Sequence, residues 1–130
     1  MNKYEYIGCF FDYNELAEKV KQIRKNPLES EKKKPHVTFE YGPSHVDTEL
    51  FGTQVFVSIT GYGNDGENEG VFVELLCDNE KLNNMIEKIE VPHITLAVSR
   101  GGKAVNTRFL KFEPITPIQI VGYFGGHIDN

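Results

Sequence analysis

Runs of apolar residues with strand periodicity account for much of this chain. Residues 54–60 are the clearest case, because Val55, Val57 and Ile59 share one face at a period of two. Five further runs are rich in aromatic and β-branched residues and are bounded by turn-forming or helix-capping residues, as strands usually are. The predicted strands are residues 4–11, 36–41, 54–60, 71–77, 93–98 and 117–124.

Two segments between these strands have the periodicity of amphipathic helices. In the first, Leu16, Val20 and Ile23 recur at spacings of four and three residues. Asp12 precedes this stripe and Glu15 follows three residues later, which is the pattern of a capping box. The second predicted helix has Asp78 as its N-cap and Leu82, Met85, Ile86 and Ile89 as its buried stripe.

The order of the predicted elements repeats along the chain. Each half contains a strand, an Asp-capped helix, a strand that begins Pro-His-x-Thr and a further strand. We therefore predict an α+β fold of two duplicated βαββ halves, roughly residues 1–61 and 70–130. A pseudo-two-fold axis between the halves would bring equivalent strands together around a central cleft. Residues 1–130 are expected to form a single domain and a monomer.

Composition adds little to this picture but excludes several classes of protein. With 39% hydrophobic and 25% charged residues in 130, the chain resembles an ordinary globular domain. No apolar run of about 18 residues predicts a membrane span, and Glu5 lies where a signal peptide would become apolar. Cys9 and Cys77 lie in apolar runs, so we expect buried free thiols and a reducing, cytoplasmic compartment.

The charge distribution favours a small anionic ligand over a long nucleic acid. A net charge of −5 argues against an extended nucleic-acid groove, because such binding needs many Lys and Arg contacts to phosphates. Local basic groups nevertheless flank both repeated motifs, so a single phosphate could be accommodated between them. These groups are Lys32–Lys34, before the first motif, and Arg100, Lys103, Arg108 and Lys111, after the second.

The repeated motifs are the strongest candidates for chemistry. Alternate side chains of a strand share a face, so the side chains of His36 and Thr38 point in the same direction, as do those of His93 and Thr95. An imidazole with a pKa of about 6.5 can accept or donate a proton near neutral pH. A threonine hydroxyl can donate a hydrogen bond to a phosphate oxygen. Two such pairs in one cleft could therefore cleave a phosphodiester, with His36 and His93 catalytic and Thr38 and Thr95 binding substrate.

With these motifs the chain resembles the 2H phosphoesterase superfamily, which is defined by two His-x-Thr/Ser-x motifs in a bilobal, duplicated fold. Residues 35–41, 61–65 and 92–99 look most like the cyclic-phosphodiesterase domain of fungal and plant tRNA ligases. This resemblance implies metal-independent hydrolysis of a cyclic nucleotide phosphodiester, most simply a 2′,3′-cyclic phosphate on an RNA end or mononucleotide. The superfamily also contains phage enzymes that degrade cyclic nucleotide defence signals, which stays an alternative. A module that binds and sequesters a cyclic nucleotide without cleaving it is the alternative from another class.

No cofactor or metal is expected, because no His or Cys spacing indicates a zinc site. Residues 61–66 match the letters G-x-G-x-x-G, but no helix follows them, so a hairpin is predicted instead of a dinucleotide site. His45 and His127 are predicted to be surface residues. Three aromatic residues are predicted to contact the substrate by stacking on a base, namely Tyr62, Tyr123 and Phe124.

Overall fold

The computed structural model describes residues 3–128, and its strands form one seven-stranded sheet in which the described pairs are antiparallel. The predicted α+β class is therefore confirmed. The strand order across the sheet is β2-β6-β5-β4-β7-β1-β3, so strands from both predicted halves share one continuous sheet. The strands are β1 (Tyr4–Phe10), β2 (Ser30–Glu31), β3 (His36–Tyr41), β4 (Gln54–Asn64), β5 (Asn68–Leu76), β6 (His93–Val98) and β7 (Glu113–Ile128).

Two α-helices accompany the sheet, α1 (Tyr13–Val20) and α2 (Glu80–Glu87). The predicted cap of α1 is confirmed, since the Asp12 carboxylate accepts a hydrogen bond from the backbone N–H of Glu15 at 2.8 Å. The predicted cap of α2 is wrong by one residue. Asn79, not Asp78, has the extended backbone of an N-cap, and its side-chain oxygen accepts from the Leu82 N–H at 3.0 Å.

The hydrophobic core lies between one face of the sheet and the two helices. Leu16 and Val20 of α1 and Leu82 of α2 are almost completely buried there. The inward-facing residues of six strands, β1 and β3–β7, complete this core, including Ile7, Val37, Val55, Val57, Ile59, Val71, Val73, Ile94 and Ile120. Neither these helices nor any other among residues 3–128 is long and apolar enough to cross a membrane.

The connection between β4 and β5 is shorter than predicted. Residues 61–70 were expected to form a turn, yet β4 continues to Asn64 and β5 begins at Asn68. The Asp65 carboxylate closes the turn by accepting from the backbone N–H groups of Glu67 and Asn68 at 2.9 and 2.8 Å. Gly61 and Gly63 therefore lie inside β4, where a Cβ at either position would be 3.1 Å from Phe112 or Leu110. The predicted hairpin itself is confirmed.

Three further elements were not predicted. They are β2 and two 3-10 helices, Thr48–Leu50 and Ala104–Phe109. The last strand is also longer than residues 117–124, because it pairs with β4 through its first part and with β1 through its second.

The sheet curls, so that strands far apart in its order meet in space. β3 forms one edge and β6 lies next to the other edge, yet their Cα atoms approach within 8 Å. β3 and β6 each pair with a strand whose register shifts at a glycine, namely Gly8 of β1 and Gly70 of β5. A Cβ at Gly8 would overlap the carbonyl oxygen of Val37, and a Cβ at Gly70 would lie 2.7 Å from that of Ile94. The two His-x-Thr strands are therefore held closely by their neighbours.

Candidate active site

The approach of β3 and β6 brings both repeated motifs to one cavity. Val37 and Ile94 are completely buried in the core, so the residues on either side of them face the opposite way. As a result His36, Thr38, His93 and Thr95 all line a cavity of about 410 Å³. This volume falls within the roughly 300–1,000 Å³ of typical small-molecule sites. The other lining residues are Tyr6, Lys32, Lys33, Lys34, Pro35, Tyr41 and Ala104.

The two imidazoles are oriented by the same local device. Nδ1 of His36 lies 2.9 Å from the carbonyl oxygen of Lys34, and Nδ1 of His93 lies 2.8 Å from that of Val91. A carbonyl can only accept, so each Nδ1 carries a proton and donates it. In the neutral imidazole, Nε2 is then the nitrogen with the free lone pair. Both histidines therefore present the same atom for proton transfer.

The surroundings of both imidazoles favour their neutral form. Burial lowers the pKa of His36 below its ordinary value of 6.5, and nearby His127, His93 and Lys32 lower it further, against a smaller opposing effect of the Lys34 carbonyl. Burial likewise lowers the pKa of His93, against the Val91 carbonyl, and Arg108 lowers it further. An anion bound between them would oppose these effects, since negative charge stabilises imidazolium.

The two threonines differ in their surroundings. Thr38 has its hydroxyl 3.5 Å from that of Tyr41, at the limit of a hydrogen bond. Thr95 has its hydroxyl oxygen 2.8 Å from that of Thr107 and 3.3 Å from the carbonyl oxygen of Ala104. The 3-10 helix Ala104–Phe109 thus supplies the described partners of Thr95, whereas Tyr41 of the same strand supplies that of Thr38.

The imidazole of His36 is part of a stack of aromatic rings. The ring of Tyr6 lies 4.5 Å from that of His36, and 4.9 Å from that of His127 on its other side, with interplanar angles of 24° and 18°. His127, predicted to be a surface residue, is instead half-buried, because β7 pairs with β1 and places it against Tyr6. His45, by contrast, has a side chain that is 80% exposed, as predicted. Burial, with Tyr41 and Glu5 nearby, raises the pKa of Tyr6 to about 12.

The basic segment before His36 forms one rim of the cavity. The three lysines of this segment, Lys32–Lys34, are exposed and line the cavity. Lys33 is anchored on Tyr13, with Nζ 3.2 Å from the hydroxyl and 4.3 Å from the ring centroid. Local positive charge therefore exists at the site despite the net charge of −5.

A second cavity of about 290 Å³ adjoins the first and shares Thr38, Tyr41 and His93 with it. Arg108 lines this second cavity, where its guanidinium lies 3.3 Å from Glu90 and over the ring of Phe109. The space beside the histidines therefore extends both toward Lys32–Lys34 and toward Arg108.

The three aromatic residues predicted to contact the substrate do not line either cavity. Phe124 is 3% exposed and packs in the core against Phe39 and Phe51. Tyr62 is also buried. Its hydroxyl lies 2.7 Å from Glu69, so its polar atom is already engaged. These two predictions are therefore wrong.

Tyr123 is half exposed on the face of the sheet that carries His36, because it pairs with Phe10 of β1, which in turn pairs with His36. Tyr123 lines neither cavity, and its predicted contact with the substrate stays a prediction. Tyr6 and Tyr41 are the aromatic residues at the cavity. The pairing of β1 with β3, which the pattern of a single strand does not reveal, places Tyr6 there, whereas Tyr41 is the last residue of β3 itself.

The described part of the chain contains no group of three His, Cys, Asp or Glu side chains arranged to hold a metal ion. The residues that converge at the cavity are instead proton carriers and hydroxyl donors.

Comparison with known proteins gives a likeness of fold. No family model matches the sequence, and no curated protein matches it. A crystal structure of a fungal RNA kinase is similar to this chain, with a TM-score of 0.59 and 16% sequence identity. The match covers 98% of this chain and 44% of that chain, so the present chain spans less than half of the RNA kinase structure. At this identity the likeness shows the fold alone.

Proposed function

We propose that this chain is a 2H-type phosphodiesterase that hydrolyses a cyclic nucleotide phosphodiester without a metal ion, most simply a 2′,3′-cyclic phosphate. One observation carries the proposal. His36 and His93 face the same cavity, and each presents Nε2 because its Nδ1 is bonded to a backbone carbonyl two residues earlier. Two imidazoles placed in this way can supply the base and the acid of one hydrolysis.

The reaction balances with these groups alone. The neutral histidine removes a proton from water through Nε2 as the water oxygen attacks phosphorus. The bond from phosphorus to one ribose oxygen breaks, and the protonated histidine donates its Nε2 proton to that oxygen. The product is a phosphate monoester with one ribose ester bond retained. Thr38 and Thr95 line the cavity, and their hydroxyls can donate to the non-bridging oxygens, where charge accumulates, in exchange for their present partners.

The strand order supports a duplicated fold for the proposed enzyme. In a duplicated fold β1, β3 and β4 would correspond to β5, β6 and β7, respectively. When each strand is replaced by its counterpart, the order β6-β5-β4-β7-β1-β3 becomes the same order counted from the opposite edge of the sheet. The glycines against the motif strands, Gly8 and Gly70, occupy equivalent positions in this exchange. Such symmetry would generate two equivalent His-x-Thr strands, as the 2H resemblance implies. The RNA kinase likeness adds an RNA-acting protein with a related fold, but kinase activity is not carried over, because 56% of that chain has no counterpart here.

A substrate panel in EDTA tests the proposal. We expect turnover of at least one 2′,3′-cyclic mononucleotide or RNA end carrying a 2′,3′-cyclic phosphate, with the rate unchanged by chelator because imidazoles supply both proton transfers. Phosphorus NMR of the product would identify the ester bond that breaks. Turnover confined to cyclic dinucleotides or 3′,5′-cyclic nucleotides would favour the phage-type alternative. Tight binding without turnover would favour a sequestering module, and rescue by a divalent ion would contradict the mechanism.

The pH profile of kcat/KM provides a separate test, because it reports the pKa values of the free enzyme. Below both pKa values neither histidine can accept a proton, and above both neither can donate one. The lowered pKa values of His36 and His93 therefore predict a bell-shaped kcat/KM with its maximum on the acidic side of 6.5. The kcat profile should lie at higher pH, since the bound phosphate stabilises imidazolium. A kcat/KM profile that is flat from about pH 5 to 8 would contradict paired acid and base.

A further inference from the structure

A buried polar network stands behind one of the two threonines. Thr107 is completely buried, and its hydroxyl oxygen lies 2.8 Å from that of Thr95 and 3.0 Å from Nδ2 of Asn68. Asn68 is 2% exposed, and its Nδ2 also lies 2.6 Å from the carbonyl oxygen of Lys103. The network therefore runs from the protein interior to a hydroxyl that lines the cavity.

Counting hydrogens fixes the direction of this network. The Asn68 amide has two N–H groups, and one donates to the Lys103 carbonyl while the other donates to Thr107. The Thr107 hydroxyl then has its own hydrogen to place, and a completely buried hydroxyl needs an acceptor. Among the described hydrogen bonds of Thr107, the acceptor for this hydrogen is the hydroxyl oxygen of Thr95. Thr107 consequently donates to Thr95, whose own hydrogen is directed to the Ala104 carbonyl oxygen, 3.3 Å away at the cavity. A phosphate oxygen bound in the cavity would take the place of that carbonyl as the acceptor.

We propose that Asn68 and Thr107 are positioning residues that set the Thr95 hydroxyl as a hydrogen-bond donor to the phosphate. This inference rests on the proposed function and assigns new roles within that site. A chain of hydrogen bonds polarises each successive member, so the Thr95 hydroxyl becomes a stronger donor at its end. The network also holds Thr95 in one rotamer, which reduces the reorganisation needed when charge develops on phosphate.

The other half of the site lacks this device. The Thr38 hydroxyl has the Tyr41 hydroxyl at 3.5 Å as its described partner. The position on β1 that corresponds to Asn68, two residues before the glycine at the register shift, is occupied by Tyr6, which stacks on His36 instead. The two His-Thr pairs are thus supported differently, the first at its histidine and the second at its threonine. The two threonines are therefore expected to be unequal in catalysis.

Substitution of Thr107 tests the network, with Thr107→Ser as the matched control that keeps the hydroxyl. Direct loss of a transition-state donor costs about 10² to 10³-fold in kcat. We therefore expect Thr95→Val to fall in that range and Thr107→Val to cost about 10-fold or more, mainly in kcat and little in KM. Thr107→Ser should stay within about 3-fold of wild type, since its hydroxyl can still donate. All variants are to be assayed below their measured Tm.

A double-mutant cycle separates positioning from structural damage. If Thr107 acts through Thr95, Thr107→Val should cost almost nothing further in a Thr95→Val background. It should keep its full effect in a Thr38→Val background. Equal losses from Thr107→Val in all three backgrounds, or equal damage from Thr107→Ser, would overturn the positioning role while the proposed function stands. Absence of turnover by the wild-type protein on every panel substrate would overturn both.

Discussion

Alanine at either His36 or His93 is expected to lower kcat by about 10² to 10⁴-fold, because each variant removes one of the two proton carriers. Ligand binding should largely persist, since the threonines and the lysines of residues 32–34 remain at the cavity. Steady-state kinetics on the best panel substrate, with binding measured by calorimetry, would check both parts. His45→Ala is the matched control, because that imidazole is exposed and lies outside the cavity.

A substrate with an activated leaving group should separate the two roles. In a nitrophenyl ester the leaving group, nitrophenolate, departs without needing a proton. With such a substrate, loss of the acid histidine should therefore lower the rate much less than loss of the base. One of the two variants should therefore recover most of its activity on such a substrate, and the other should not. Equal impairment of both variants on both substrates would mean that His36 and His93 do not divide acid and base work. They would then act as two equivalent phosphate clamps.

The local sequence pattern was sufficient to predict those parts of the fold that interactions between nearby residues determine. The period of two places Val37 and Ile94 on the face opposite the two His-Thr pairs, and the structure buries both completely. Asp12 was identifiable as a cap because the residue types around it allow few alternatives. The cap of α2 was misplaced because Asp78 and Asn79 are adjacent and both suit the position. Only the backbone conformation distinguishes them.

The contacts around the candidate site depend instead on long-range register, which single-strand patterns do not contain. The stack of Tyr6 on His36 follows from the pairing of β1 with β3 and from the shift at Gly8, and a slip of one residue would send Tyr6 to the other face. Thr107 lies in a short 3-10 helix without any apolar periodicity that could reveal it. The incorrect prediction for Phe124 has a different origin, since the period of two along β7 already groups Phe124 with the buried Ile120 and exposes Tyr123.

Another feature that the pattern did not reveal is a buried ion pair behind the basic rim. Glu69 on β5 is completely buried, and its carboxylate bonds to Arg24 Nε at 2.7 Å and to the backbone N–H of Leu28 at 3.0 Å. Arg24 also pairs with Glu31 at 2.7 Å, one residue before the lysines that line the cavity. Glu69 therefore ties the segment after α1 to the sheet.

Removing this carboxylate is expected to be the most destabilising single change in the network. Glu69→Ala leaves Arg24, which is only 11% exposed, without its most buried partner. Loss of one member of a buried pair typically costs about 3–5 kcal/mol, because the remaining charge stays desolvated. Urea unfolding should therefore show a large fall in midpoint for Glu69→Ala. Glu74→Ala, at an exposed position on the same strand, should change the midpoint little.

The pH dependence of this effect follows from the pKa of Glu69. Burial raises that pKa, but Arg24, Tyr62 and the Leu28 N–H lower it more, so the folded value lies below the ordinary 4.5. A lowered folded pKa contributes stability above the unfolded pKa and loses it as the pH falls through the folded value. The difference between wild type and Glu69→Ala should consequently be full at pH 7 and shrink below about pH 4. Replacing both partners, as Arg24→Met with Glu69→Leu, should recover part of the loss, since apolar side chains need no charged partner, although the Leu28 N–H still lacks its acceptor. A Glu69→Ala variant as stable as Glu74→Ala at pH 7 would show that the pair does not hold this segment to the sheet.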